Sequence, residues 1–132
     1  MSNLCNIINN QLHIYPSVYE NIHCNVGEDK DSLVINEILD TLDGLLETTP
    51  VIEFHVHTGK MKLSQLPKYK KVVNIFIQIV SVKYTTTMLD KCYFYDVNRT
   101  MKLLIDMLKP VLPAIVKEKM VILQETDNDK DD

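Results

Sequence analysis

Glu53, His55 and His57 stand two residues apart in the run Val51-Ile52-Glu53-Phe54-His55-Val56-His57. If this run is a strand, its two-residue period puts those three on one face with Val51. Ile52, Phe54 and Val56 then form the other, apolar face. Two imidazoles at that spacing could share a Zn²⁺ ion, with the carboxylate as a third ligand or a base. The plainer reading is a polar wall facing solvent or a wet cavity. His13 and His23 are the only other histidines, and the segment holding them alternates poorly. No metal ligand and no catalytic residue is therefore assigned. Burying Glu53 and His55 without partners would be costly, so either they are paired or a polar-lined cavity lies above them. A cavity implies a ligand with a polar head, whereas a half-covered sheet face needs none.

Other catalytic signatures are absent. The chain has no dinucleotide fingerprint, no P-loop and no nucleophile elbow, and it carries three glycines, Gly27, Gly44 and Gly59. That leaves little with which to cradle a phosphate in backbone amides. No cofactor is called for, and the chain reads as a binding protein rather than an enzyme. Positive charge concentrates at Lys60, Lys62, Lys68, Lys70 and Lys71. These form a solvated face or, more sharply, a contact for anionic membrane headgroups through Lys68, Lys70 and Lys71, each worth ~1 kcal/mol near such a surface.

The elements that must position these residues follow from periodicity. Leu4–Ile8 and Gln11–Tyr15 read as strands joined at Asn9-Asn10, which tolerate positive φ and suit a hairpin. After Pro16-Ser17 a further strand is expected over Val18–Asn25. Ser32 or Asp31 then caps a helix over Leu33–Glu47, whose apolar positions from Val34 to Leu46 share one face. Thr48-Thr49-Pro50 stops it. After the strand Val51–His57 and the turn Thr58-Gly59-Lys60, Ser64 is the expected N-cap of a helix over Leu66–Val82. Lys91–Val97 is the next strand, followed by a helix to Leu108, a break at Lys109-Pro110, a turn opened by Pro113 and a strand over Lys119–Leu123. Strand, helix, strand, helix, strand after residue 50 implies parallel strands joined by two right-handed crossovers.

Bulk properties agree. With 132 residues, 45% of them hydrophobic and 24% charged, the chain is long enough and apolar enough for a real core in one domain. Its net charge of −4 argues against a nucleic-acid binder. No apolar run approaches the ~20 residues of a membrane span, and Met1–Asn10 has no signal-type pattern. The expected location is cytoplasmic, peripheral to membranes if the lysines act there. Cys5, Cys24 and Cys92, an odd number without a CxxC pair, read as buried thiols. The expected domain runs over 1–123, best supported over 51–123, with an acidic tail over 124–132.

The run from Lys91 to Leu123 resembles the CRAL-TRIO lipid-binding domain. In that family a strand and an Asn-x-Pro-like turn, here Asp96-Val97-Asn98, precede a helix. A Lys-Pro break follows, here Lys109-Pro110-Val111-Leu112, and then a Lys-started strand, here Lys119-Met120-Val121. Val51–Gly59 is similar to the family's strand and Asp-x-x-Gly turn, with Val56 in the Asp place. The likeness covers a little over half of the chain. It implies an α/β fold: a single two-layer domain with a mixed sheet and βαβαβ parallel crossovers, related in topology to STAS domains.

It also implies binding of a lipid or similar amphiphile. Of the headgroup contacts in phosphatidylinositol-binding members, Lys119 matches, Thr87 takes the place of the Glu in Tyr-Pro-Glu, and Val51 and Glu53 take the Ser and Thr places. The expected ligand set is Glu53, His55, Tyr93, Tyr95, Thr87 and Lys119, with an apolar groove over the sheet and a polar end at Glu53, His55 and Lys119. The family's helical gate follows the last strand. Here the chain ends soon after Leu123, so the groove is expected to stay open or be completed in a homodimer. The rival expectation is a protein-interaction scaffold of BCH or STAS type.

Overall fold

The computed structural model describes residues 4–84 and 88–124. The expected acidic tail lies outside the described residues, apart from Gln124.

The chain opens as the expected hairpin, β1 (Cys5–Ile8) and β2 (Gln11–Ile14), with antiparallel register Cys5↔Ile14 to Ile8↔Gln11. Asn9 and Asn10 both take positive φ, 52° and 60°, the pair of left-handed residues that a two-residue turn of matching twist requires. The strand expected over Val18–Asn25 is instead a 3₁₀ turn, Pro16–Asn21. Pro16 presets its φ, and the Tyr19 hydroxyl donates to Asp31 at 2.7 Å, holding the turn against the next helix.

Helix α1 (Lys30–Leu46) starts three residues earlier than expected. Asp29, not Ser32 or Asp31, is its N-cap, and its carboxylate accepts from the amide and hydroxyl of Ser32. Asp31 is occupied by Tyr19. Val34, Ile35, Ile38, Leu39, Leu42 and Leu45 are all buried, as their spacing requires. Strand β3 (Ile52–His57) leads to α2 (Leu66–Lys83), β4 (Leu89–Val97), α3 (Arg99–Leu108), α4 (Ala114–Lys119) and β5 (Met120–Gln124). Helix α2 begins without the side-chain cap expected from Ser64. Helix α3 has a cap: the Asn98 side chain accepts from the Met101 amide at 3.0 Å and donates to the Met61 carbonyl at 3.2 Å.

The five strands lie in the order β1-β2-β3-β4-β5, with β2 to β5 parallel. A third crossover, β2–α1–β3, thus joins the two expected. Three right-handed connections stepping the same way across a sheet put their helices on one side. The buried core agrees, since it joins the helices to Leu12, Ile14, Ile52, Phe54 and Leu89 of the strands. By alternation Gln11, His13, Glu53, His55, His57, Tyr93 and Tyr95 face away from the helices. At the carboxyl end of the sheet, β4 shifts register between Phe94 and Val97, and Asp96 takes φ 55°. A side chain at Gly59 would place its Cβ 3.3 Å from Asp96 Cβ, so the turn after β3 fits there because it has none.

Candidate functional site

Six rings stand on the helix-free face in two ladders. The first runs His13, His55, Tyr93, with centroids 4.6 and 4.9 Å apart. The second runs Tyr15, His57, Tyr95, at 4.7 and 4.8 Å. Neighbouring strands are about 4.7–4.9 Å apart, so each ring stacks on its cross-strand partner.

Two hydrogen bonds tie the ladders together. His13 Nδ1 and His57 Nε2 are 2.9 Å apart. Their centroids are 5.2 Å apart and their planes within 18°, so these rings meet end to end and share one proton, one nitrogen donating and the other accepting. The Tyr95 hydroxyl is 2.6 Å from His55 Nδ1, and His55 Nε2 is 3.0 Å from Glu53 Oε1. The same Glu53 oxygen accepts from Gln11 Nε2 at 2.9 Å. Against an ionised carboxylate these bonds fit the Nε2–H tautomer, in which His55 donates to Glu53 and accepts from Tyr95. The stack leaves His55 only 7% exposed although no helix among the described residues covers it.

Burial lowers the pKa of His13, and the neighbouring His55 and His57 lower it further. His57 is lowered by burial and then by His55, against a smaller opposing pull from Asp96. Burial raises the Tyr95 phenol, helped by Tyr93 and Glu53. Among the described residues no three His, Cys, Asp or Glu side chains converge to hold a metal ion.

The face thus brings together Glu53, His55, Tyr93 and Tyr95 of the expected ligand set. Thr87 lies outside the described residues. Lys119 sits elsewhere: at the end of α4 its ammonium donates to the Leu89 carbonyl. Gln11, His13 and Tyr15 were not foreseen as members. Their alternation with Leu12 and Ile14 was a usable signal, but the partnership of His13 with His55 follows only from the β2–β3 register.

The opposite face carries an apolar cavity of ≈ 260 Å³ between sheet and helices. Its floor includes Phe54, Cys92 and Phe94, and its closed end is formed by buried side chains such as Leu4, Ile14, Val34 and Ile38. Toward the end of α2 and the start of α4 the lining becomes half-exposed, at Val80, Tyr84, Met88, Pro113 and Val116. Ser81 is its one exposed member. Among the described residues no charged one lines it. The hydroxyls of its three tyrosines are each donated to a carboxylate: Tyr19 to Asp31, Tyr69 to Glu20 and Tyr84 to Asp43. Burial, then the bond to Glu20, pushes the Tyr69 phenol up to about 12. Burial alone pushes the Cys92 thiol up to about 12, and the exposure Cys92 retains borders the cavity.

The expected site is therefore divided. Phe54 and His55 are adjacent on β3, so the apolar space and the pair Glu53–His55 lie on opposite faces of the sheet. Of the expected polar end, Lys119 alone bonds to a residue of the cavity wall. The lysines Lys68, Lys70 and Lys71 are exposed on the first turns of α2, with Lys71 3.9 Å from Asp31. Thirteen residues of helix, about 20 Å, separate Lys68 from Ser81 at the cavity mouth.

The CRAL/TRIO domain profile matches residues 30–131, from the first residue of α1 through β5 and beyond. No curated protein matches the chain. The sheet with its parallel crossovers, and a profile match covering most of the sequence, place this chain in the CRAL/TRIO domain family, a family of lipid- and hydrophobic-ligand-binding proteins.

Proposed function

We propose that the chain binds one lipid-like molecule without performing chemistry on it, with the hydrocarbon in the cavity between sheet and helices and the polar head at the mouth beside Lys119. The observation that carries this reading is the cavity itself, ≈ 260 Å³ with no charged residue in its wall among the described residues. Apolar cavities of about 150 Å³ stay dry and take up benzene, so a larger one with a half-open end suits an apolar guest. Lys119 has three N–H donors and gives one to Leu89, leaving two for acceptor oxygens of a head group. Lys68, Lys70 and Lys71 are the proposed contact with anionic headgroups. Being about 20 Å from the mouth, they would hold the protein at a surface rather than grip the ligand. The test is mass spectrometry of material extracted from the purified protein. A bound amphiphile at near-stoichiometric amount supports the reading. Protein that is reproducibly empty and ignores liposomes of mixed lipid composition overturns it.

Homodimer formation is the second reading, and the sheet edges favour it. Neither β1 nor β5 carries a charged residue or proline, and Ile7, Ile8, Ile122 and Leu123 are exposed on them. Such unguarded edges pair readily with another strand. Light scattering across a dilution series tests this: a ligand-independent dimer supports it, and a monomer at all concentrations removes it.

A further inference from the structure

The cavity's size and the state of its polar groups limit what it can hold. Benzene fills a cavity of about 150 Å³ with six carbons, or about 25 Å³ per carbon. On that scale ≈ 260 Å³ accommodates about ten carbons. The two chains of an ordinary diacyl phospholipid carry about three times as many. On the side of β1, β2 and α1 the described residues offer no extension, because Leu4, Ile14, Val34 and Ile38 line the cavity there and are buried in the core.

The wall is as restrictive in chemistry as in volume. The hydroxyls of Tyr19, Tyr69 and Tyr84 donate to the carboxylates of Asp31, Glu20 and Asp43. None of these donors is open to a guest without breaking a bond to a carboxylate. Among the described residues the remaining side-chain donors of the wall are the Ser81 hydroxyl at the mouth and the Cys92 thiol, a weak donor, so an oxygen drawn deep inside would lose its water for at most one weak bond. The buried part of the ligand must be hydrocarbon throughout, with its first polar atom at the mouth near Ser81 and Tyr84.

We infer that the ligand is a single-chain amphiphile that buries about ten carbons, not a diacyl phospholipid. This rests on the lipid-binding reading above and narrows it. An aliphatic chain entering such a site gains about fourfold in affinity per buried methylene. The gain stops once added carbons remain outside.

The experiment is calorimetric titration of the full chain with saturated fatty acids of 6, 8, 10, 12, 14 and 16 carbons, each below its aggregation concentration. A parallel assay measures extraction of dioleoylphosphatidylcholine from vesicles. The expected result is a rise of about fourfold per carbon that levels off near ten, with no phospholipid extracted. A rise continuing undiminished to sixteen carbons, or one-to-one extraction of the phospholipid, overturns the ten-carbon limit while leaving lipid binding in place. Failure to bind any acid or any phospholipid overturns both.

Discussion

Cys92 points into the cavity from the middle of β4, opposite Phe54 of β3 and Met120 of β5. Replacing it by phenylalanine adds five non-hydrogen atoms to the side chain, about 125 Å³ at about 25 Å³ per carbon, or roughly half of the space. Cavity volume is destabilising at about 24 cal/mol per Å³, so filling that much offers a stabilisation of up to ~3 kcal/mol. Imperfect fit of a larger ring returns ~1–3 kcal/mol as strain. The expected net effect of Cys92→Phe is a stability equal to or up to ~2 kcal/mol above that of the parent. In a domain of this size that is a rise of up to about 8 °C in melting temperature, read by circular dichroism. Binding moves the other way. A ten-carbon chain loses contact for about five methylenes, ~4 kcal/mol or about a thousandfold in affinity, and the plateau of the chain-length series falls to about five carbons. A variant that melts more than ~2 kcal/mol below the parent while binding decanoate as before would refute the argument, because it would mean that no usable space lies above Cys92.

Two further outcomes follow from the same structure. His13 and His57 have folded pKa values below their ordinary 6.5, so the unfolded chain takes up protons first as pH falls. The stability they contribute is complete above 6.5 and is lost as pH drops through the window below it. The urea midpoint of the parent should therefore fall between pH 7.5 and pH 5, and the double variant His13→Gln/His57→Gln should show a shallower fall. Equal slopes would mean that the end-to-end pair is not neutral in the fold. Asn98→Ala removes both the α3 cap and the bond to the Met61 carbonyl, and should cost ~1–2 kcal/mol in urea unfolding with no change in decanoate affinity.

Much of the architecture was legible because period two and period 3.6 alternate cleanly after residue 50. The hairpin was legible at Asn9-Asn10, two residues that accept positive φ. The stretch from Val18 misled because Val18, Tyr19 and Ile22 also fit one helical turn, and the choice was made by a bond from Tyr19 to Asp31 that lies twelve residues on. The helix start shifted for the same reason. Asp31, an expected cap, is held by the tyrosine, and Asp29 caps the helix instead. Strand β3 showed both of its faces in the sequence, but not which of them the helices would cover. That follows from the direction of successive crossovers, which only the strand order reveals. Hence Glu53, His55, Tyr93 and Tyr95, expected in one ligand set, share a sheet face, and the apolar groove expected beside them lies behind that face.

The strand order has a consequence for how the chain acquires its shape. Each strand pairs with the one made just before it, and none is inserted between two that already exist. Contacts across the sheet therefore form between neighbours in sequence order, and the connections to be closed shorten from β2 to β5. A chain emerging from its N-terminus can lay down the hairpin, then add one strand and its covering helix at a time to the growing edge. At every stage the border of β1 stays as it is, and the opposite border is the one on which the next segment will land.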